Sequence, residues 1–404
     1  MAKLKALPQV YRNLSLIQFP FWAGVAISSY LTVFLQQQGF KPNQVGFINA
    51  VISVVAILAT PFWGMVADMI RSIRKIFLFC MSLGIILWAL IPVSFHLKIA
   101  PTVLVYIVVI LGAMFRNPAV SLFDAFLVQR ANLDQVPYGH VRLWGSFSFA
   151  VMSFMLSIIL ITLSVEITFY LYGIVIIPLL VIMGRMKGAD SGRLTKRESF
   201  RSMGFGRLFR NYYFITFLFF SMAVYIPVNS IMVFLPYLIG AVGGNAAMYG
   251  IINGCRATVE IPVLFLMRSL RRKFPLPVII SGAAAVFCIE AFCLSRVGSF
   301  YQIVLLQSFH GIGGGVLIGS ATNYVYSLAP EGLNSTAHTM YGAVNSIASI
   351  AGYILGGILI SQMGIFSYYD VVGKVLIVAL VYFCISLIVG VKVFNKPIPF
   401  LRNL

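Results

Sequence analysis

Long apolar segments recur along the whole chain, and each is long enough to cross a lipid bilayer. A hydrocarbon core about 30 Å thick takes about 20 residues of helix. Segments of that kind occur twelve times in the sequence. The predicted spans are residues 14–36, 44–67, 76–96, 102–128, 141–163, 165–184, 212–238, 246–267, 276–295, 300–328, 336–363 and 370–391. The pattern therefore predicts an all-α membrane protein with twelve transmembrane helices.

The composition excludes a water-soluble class. Hydrophobic residues make up 60% of the 404 residues and charged residues only 10%, so water cannot be the main solvent for the surface. All five cysteines fall inside predicted spans without the spacing of metal ligands, and we interpret them as small core residues. The sequence shows no nucleophile–base arrangement, so neither an enzyme nor a cofactor is predicted.

The loops between the spans differ in charge between the two sides of the membrane. With the N-terminus inside, the inner segments hold twenty-two Lys and Arg residues and the outer segments hold four. Because Lys and Arg favour the cytoplasmic side, both termini are predicted to be cytoplasmic in a plasma (inner) membrane protein. We interpret the net charge of +19 as attraction to bilayer lipids. Nucleic-acid binding is not predicted, because the basic residues lie in short loops.

The longest polar stretch divides the spans into six and six. Residues 185–210 form a basic cytoplasmic linker between an N-terminal half, 1–184, and a C-terminal half, 211–404. Weak internal similarity crosses this linker at an offset near 200 residues: Pro61–Asp68 corresponds to Pro262–Ser269, and basic residues follow both segments. Six-helix repeats of this kind are common in secondary transporters, so two halves related by pseudo-twofold symmetry are predicted.

The segment after the second span resembles a known motif. The run GMVADMIRSIRK, Gly64–Lys75, is similar to the loop between helices two and three of the major facilitator superfamily. The resemblance implies that the glycine permits a tight turn and that the aspartate meets basic residues and a helix end. It also implies a gating role, not solute contact, for five residues: Gly64, Asp68, Arg71, Arg74 and Lys75.

Other segments are similar to one branch of that superfamily. The runs YGHVRLWGSFSF at 138–149 and PAVSLFDAF at 118–126 resemble phenylpropionate permeases and, more distantly, galactoside permeases. The runs ATVEIPVLF, LLQSFHGIGGG and TAHTMYGAVNS in the second half agree. Most members of the branch are proton-coupled symporters, so the resemblance implies alternating access around a midplane site.

Four ionisable residues match functional positions of the galactoside permeases. The resemblance implies that Asp124, Arg142 and Glu260 bind solute, and that His310 organises binding and coupling. Independently of the family, ionisable groups at membrane depth cost about 2.5–3.5 kcal/mol each and rarely persist there without a partner or a task. The alternative for each is a buried structural ion pair or a core histidine.

Spacing along the helices limits which of these charges can pair directly. Arg256 and Glu260 are four residues apart, so they are neighbours on one helix face. Asp124 and Arg116 are eight residues apart, about 12 Å along a helix, which is too far for direct contact. Each of those two is therefore predicted to need a partner from another helix.

Departures from the branch change the expected solute. Phe149 stands where galactoside permeases place a stacking tryptophan, and Val263 replaces an amide that contacts the sugar, so a disaccharide is not favoured. Asn229 and Gln307 replace a mutually neutralising acid and lysine. Tyr225 and Asn229 lie within spans and are predicted, with Phe149, to line the solute cavity, although a structural role is about equally compatible.

The proton-carrying acid of the branch is also displaced. Gly313 stands at its position on the tenth span, while Glu290 stands on the ninth span in place of an arginine. We therefore predict that Glu290 carries the coupled proton with His310, and that Glu260 participates.

Glycines on the tenth and eleventh spans have a simpler interpretation. The run Gly311–Gly315 and the pair Gly352 and Gly356 lie inside apolar spans, where small residues permit close helix packing. No Lys-Ser/Thr follows the run, so a phosphate loop is not predicted.

The preferred prediction is a monomeric, proton-coupled symporter that imports a small organic solute, either sugar-like or an aromatic acid. One alternative is a proton-driven exporter of amphipathic compounds or lipid precursors, favoured by the many aromatic residues and the altered sugar site. A non-transporting membrane sensor is the alternative from another class. The acidic and basic residues predicted to lie in or near the cavity balance to zero, so the sequence does not favour an anionic or a cationic ligand. They are Asp124, Glu260 and Glu290 against Arg116, Arg142 and Arg256.

Overall fold

The computed structural model describes residues 9–97, 101–134, 138–186, 206–330 and 333–395, and these residues are helical almost throughout. The helices are α1 Gln9–Ser28, α2 Leu31–Gln37, α3 Pro42–Ile70, α4 Ile73–His96, α5 Pro101–Leu133, α6 Tyr138–Thr162, α7 Ile167–Arg185, α8 Gly206–Phe209, α9 Tyr212–Ala241, α10 Ala246–Lys273, α11 Leu276–Leu294, α12 Phe300–Leu328, α13 Asn334–Met363 and α14 Ile365–Lys392.

All twelve predicted spans are confirmed as helices of membrane-crossing length. The first span combines α1 and α2 over Tyr11–Gln37, and each of the other eleven is a single helix. Many large apolar side chains, such as Leu58, Ile158 and Val378, point outward and are exposed. Such a surface is suited to lipid, because the apolar side chains then stay out of water.

The chain forms two compact units that repeat one packing pattern. The first unit contains residues 1–38 and 51–196, and the second contains residues 39–50 and 197–404. In the first unit α1 packs on α6 and α7, and α4 packs on α5 and α7. In the second, α9 packs on α13 and α14, and α11 packs on α12 and α14. These are the same pairings shifted by six spans, which supports the internal repeat seen in the sequence.

The predicted domain boundaries remain a prediction. Most of the linker, 185–210, lies outside the described residues. The short segment 39–50 packs within the second unit, where Tyr237 Oη donates to the carbonyl of Phe40 at 2.6 Å and the Asn43 amide donates to Ser361 Oγ at 3.2 Å.

The turn between α3 and α4 is built differently from the family motif. Gly64 lies inside α3, with open space where a Cβ would stand. The left-handed residue is Arg71, with φ of 55°, and Ser72 then caps α4 by accepting from the Lys75 amide at 3.4 Å. The expectation that Gly64 makes the turn is therefore wrong, because the apolar helix continues six residues beyond it to Ile70.

Arg74 binds the end of another helix. Its Nη1 donates to the carbonyls of Met183 at 3.4 Å, Gly184 at 3.2 Å and Met186, at the C-terminus of α7. A cation at this position satisfies carbonyls that the helix leaves free and complements its dipole. Asp68, by contrast, is exposed and forms no ion pair with another described residue. The gating role of the motif stays a prediction.

Glycines bring helix backbones together in the second unit, as predicted. A Cβ on Gly352 of α13 would overlap the carbonyl oxygen of Ile226 on α9. On α12, a Cβ on Gly311 would lie 2.5 Å from the carbonyl oxygen of Arg256 on α10, and Gly319 is similarly close to Met267. The glycines of α12 therefore hold α10 close to the polar residues of α12.

Candidate functional site

One cluster of polar side chains lies between α1 and α6 in the first unit. The guanidinium carbon of Arg142 lies 3.8 Å from the centre of the Trp22 ring, a cation–π contact. Gly145 makes room for this pair, because a Cβ there would lie 2.5 Å from Trp22 Cδ1 and 2.8 Å from Arg142 Nη1. The two helices are also joined where Ser148 Oγ donates to the carbonyl of Phe19.

Several polar atoms of this region are buried, and no described residue forms a hydrogen bond with them. Arg142 Nη1, Trp22 Nε1 and both side-chain polar atoms of Gln18 have no hydrogen-bond partner among the described residues. Gln18 is 0% exposed. A buried polar group that stays unpaired costs about 1–3 kcal/mol. We call Gln18, Trp22 and Arg142 the α1–α6 cluster.

The sequence analysis found Arg142 but missed Gln18 and Trp22. The available signal was an amide and an indole placed four residues apart inside the first apolar span, which puts them on one helix face. Of the other predicted ligands in this unit, Asp124 lies on α5 and Phe149 lies two turns after Arg142 on α6, both partly exposed. Their contact with solute remains a prediction.

Arg116 has the partners from other helices that its spacing required. Its guanidinium carbon lies 4.0 Å from the ring centre of Trp88 on α4, and the guanidinium interacts electrostatically with Tyr172 on α7, while Nε has no hydrogen-bond partner among the described residues. These contacts hold α4, α5 and α7 together and indicate a structural arginine.

A second cluster surrounds a buried carboxylate in the second unit. Glu290 on α11 is 0% exposed. His310 Nδ1 on α12 lies 3.0 and 3.1 Å from its two oxygens, and Gln307 Nε2 donates to Oε1 at 2.9 Å. The ring of Phe287 packs beside the imidazole, with ring centres 5.1 Å apart. The structure thus brings together the two residues predicted to carry the proton.

Arg256 and Glu260 on α10 complete this carboxylate cluster. Arg256 interacts electrostatically with Glu260 and Glu290 and donates to Met232 Sδ. A Cβ on Gly315 would lie 3.3 Å from Glu260 Cγ, so the side chain of Glu260 lies against α12. With a neutral imidazole and both acids ionised, the cluster carries one excess negative charge.

Both residues on α9 that were predicted to bind solute form hydrogen bonds with side chains of α13. Tyr225 Oη shares a hydrogen bond with Tyr341 Oη. Asn229 Nδ2 donates to Asn345 Oδ1 at 3.0 Å and to Ser349 Oγ at 2.7 Å. Hydrogen bonds between membrane helices commonly stabilise their association. These contacts favour the structural alternative for Tyr225 and Asn229, whose role in solute binding stays a prediction.

Comparisons with known proteins agree with this architecture. A sequence profile described as the MFS_1 like family matches residues 11–371. The maltose permease of Geobacillus stearothermophilus is 26% identical over 379 residues, which are 92% of this chain and 90% of that protein. The sucrose permease of Escherichia coli is 25% identical over 201 residues, 46% of this chain and 48% of that protein. A solved variant of the nucleoside transporter NupG has a TM-score of 0.80 at 16% identity, covering 94% of this chain and 99% of that one.

Twelve spans in two repeated units, with buried polar clusters inside apolar helices, define a multi-pass plasma-membrane transporter of small molecules. The chain belongs to the MFS_1-like family of the major facilitator superfamily. This confirms the superfamily predicted from Gly64–Lys75 and excludes an enzyme, since the relatives are permeases. The closer resemblance to phenylpropionate and galactoside permeases stays a prediction.

Proposed function

We propose that this protein is a proton-coupled symporter that imports a sugar-like solute by alternating access. The sequence relatives are named as maltose and sucrose permeases, which supports a hydroxyl-rich solute. The aromatic acid predicted as an alternative has no such support among them.

The main support for proton coupling is the environment of Glu290. Its carboxylate is fully buried, and His310 Nδ1 faces both of its oxygens. A proton can therefore reside on Glu290 or on His310 without rearrangement of the pair. Uptake of one proton also cancels the excess negative charge of the carboxylate cluster, and an uncompensated buried charge is costly. A buried group that gains and loses one proton during the cycle is what a symporter needs.

Reconstituted transport tests this proposal. The purified full chain in proteoliposomes should accumulate radiolabelled maltose or sucrose when the interior is more alkaline than the outside. For one proton per solute, a gradient of one pH unit is worth about 1.4 kcal/mol and supports about tenfold accumulation. A protonophore should abolish accumulation. A sodium gradient that drives uptake at equal pH would contradict proton coupling, and proton-driven extrusion would support the exporter.

We also propose that both termini and residues 185–210 are cytoplasmic, because the basic residues are so unequally distributed. Asp190→Cys, introduced into a variant without the five natural cysteines, should be protected from an impermeant maleimide in intact cells and labelled after permeabilisation. Labelling in intact cells at a rate equal to that in permeabilised cells would contradict the orientation.

A further inference from the structure

The α1–α6 cluster lies where the two helices approach closely. Gly145 lies against Trp22, and Ser148 Oγ donates to the carbonyl of Phe19. Gln18 lies one helical turn from Trp22 on the same face of α1.

The unpaired atoms of the cluster form a mixed set. Arg142 Nη1, Trp22 Nε1 and Gln18 Nε2 are donors, and Gln18 Oε1 is an acceptor. The guanidinium is held over the indole at 3.8 Å, so its position is set by packing, while Nη1 has no hydrogen-bond partner among the residues that the structure describes. Buried polar groups normally have partners, so this set is expected to be satisfied by something other than the protein.

The mixture of donors and an acceptor selects the chemistry of that partner. A carboxylate only accepts hydrogen bonds, so it can bind Arg142 and Trp22 but cannot satisfy Gln18 Oε1. A hydroxyl group both donates and accepts, and neighbouring hydroxyls of one sugar ring can serve all of these atoms. A neutral polyhydroxylated solute therefore fits the cluster better than an organic acid.

We propose that Gln18 and Trp22 bind solute directly and form, with Arg142, a subsite for the hydroxyl groups of a sugar ring. This inference rests on the proposed function only in that the solute is sugar-like; it does not depend on proton coupling.

Equilibrium binding to the purified full chain tests the subsite, with maltose, sucrose and the pair D-galactose and D-galacturonate as probes. We expect the neutral sugars to bind and galactose to bind more tightly than galacturonate. Gln18→Met removes the amide at nearly constant shape, and Trp22→Phe removes the indole N–H together with one ring; each should weaken binding about tenfold or more. Trp63→Phe is the matched control: Trp63 Nε1 donates to the Met114 carbonyl at 3.1 Å, so its loss should leave affinity unchanged.

Thermal unfolding without solute separates binding from a structural role. Replacing an unpaired buried amide by an apolar group of similar shape is neutral or stabilising, so Gln18→Met should melt at the wild-type temperature or above. A lower melting temperature together with weaker binding would show that Gln18 supports the fold, and would overturn the inference.

The remaining outcomes are also decisive. Unchanged affinity in both variants would mean that water alone satisfies the cluster, and would overturn the inference while leaving the proposed function intact. Tighter binding of galacturonate than of galactose would overturn the assignment to hydroxyl groups. A wild-type protein that binds none of the neutral sugars would overturn both the inference and the sugar-like solute of the proposed function.

Discussion

The Glu290→Gln variant is expected to lose proton-driven accumulation completely, while exchange of solute across the membrane continues. Gln cannot release or take up the coupled proton, so solute movement is no longer tied to the proton gradient. Its amide oxygen can still accept from Gln307, which donates to Oε1 of the natural residue at 2.9 Å. In proteoliposomes with a gradient of one pH unit, the ratio of internal to external solute concentration should therefore fall from about ten to about one.

Counterflow measured without a pH gradient shows whether the variant still binds and translocates solute. Glu166→Gln is the matched control, because Glu166 forms a partly exposed ion pair with His96 in the other unit. That variant should accumulate solute normally. If well-folded Glu290→Gln protein retains full accumulation, the coupled proton is carried elsewhere, and Asp124 and Glu260 become the candidates.

Gly352→Val is expected to destabilise the second unit severely. A Cβ at this position would overlap the carbonyl oxygen of Ile226, which belongs to a backbone and cannot rotate away. The helices α9 and α13 would have to separate, and the hydrogen bonds of Asn229 with Asn345 and Ser349 would be strained. Overpacking of this kind costs about 3 kcal/mol or more.

The thermal unfolding midpoint of the detergent-purified protein should fall by about 6–12 °C, and the yield of folded protein should fall with it. Gly342→Val is the matched control on the same helix, because Gly342 is exposed and nothing lies within 4 Å of the place where its Cβ would stand. It should leave the midpoint nearly unchanged. Equal midpoints for the two variants would show that α9 and α13 are not in close backbone contact.

The sequence was most informative about the features that the bilayer constrains, namely the length and composition of the spans. Apolar segments must match the thickness of the hydrocarbon core, so the twelve spans could be located from length and composition alone. The glycines at Gly352 and Gly311 could be assigned to helix packing because small residues in apolar spans have few other uses. The superfamily followed from the segment Gly64–Lys75 together with the twelve spans and the central basic loop.

The site was only partly predictable. Glu290 was found because a carboxylate stands out in an apolar span, and His310 because it matches the position of a functional histidine in the galactoside permeases. The structure places the two residues in contact. Gln18 and Trp22 were missed, since an uncharged amide and an indole do not stand out in such a span. The position of the left-handed turn was also missed, because the choice between Gly64 and Arg71 depends on how far α3 continues.

The sequence by itself determined the class of solvent, the number of spans, the repeat and the identity of the buried charges, because these depend on local composition and length. Only the tertiary structure decided which polar atoms find partners. Asn229 Nδ2 donates to Asn345 and Ser349 of α13, whereas both side-chain polar atoms of Gln18 are unpaired among the residues that the structure describes. Both are side-chain amides in apolar helices, and what distinguishes them is the set of side chains that neighbouring helices bring within hydrogen-bonding distance.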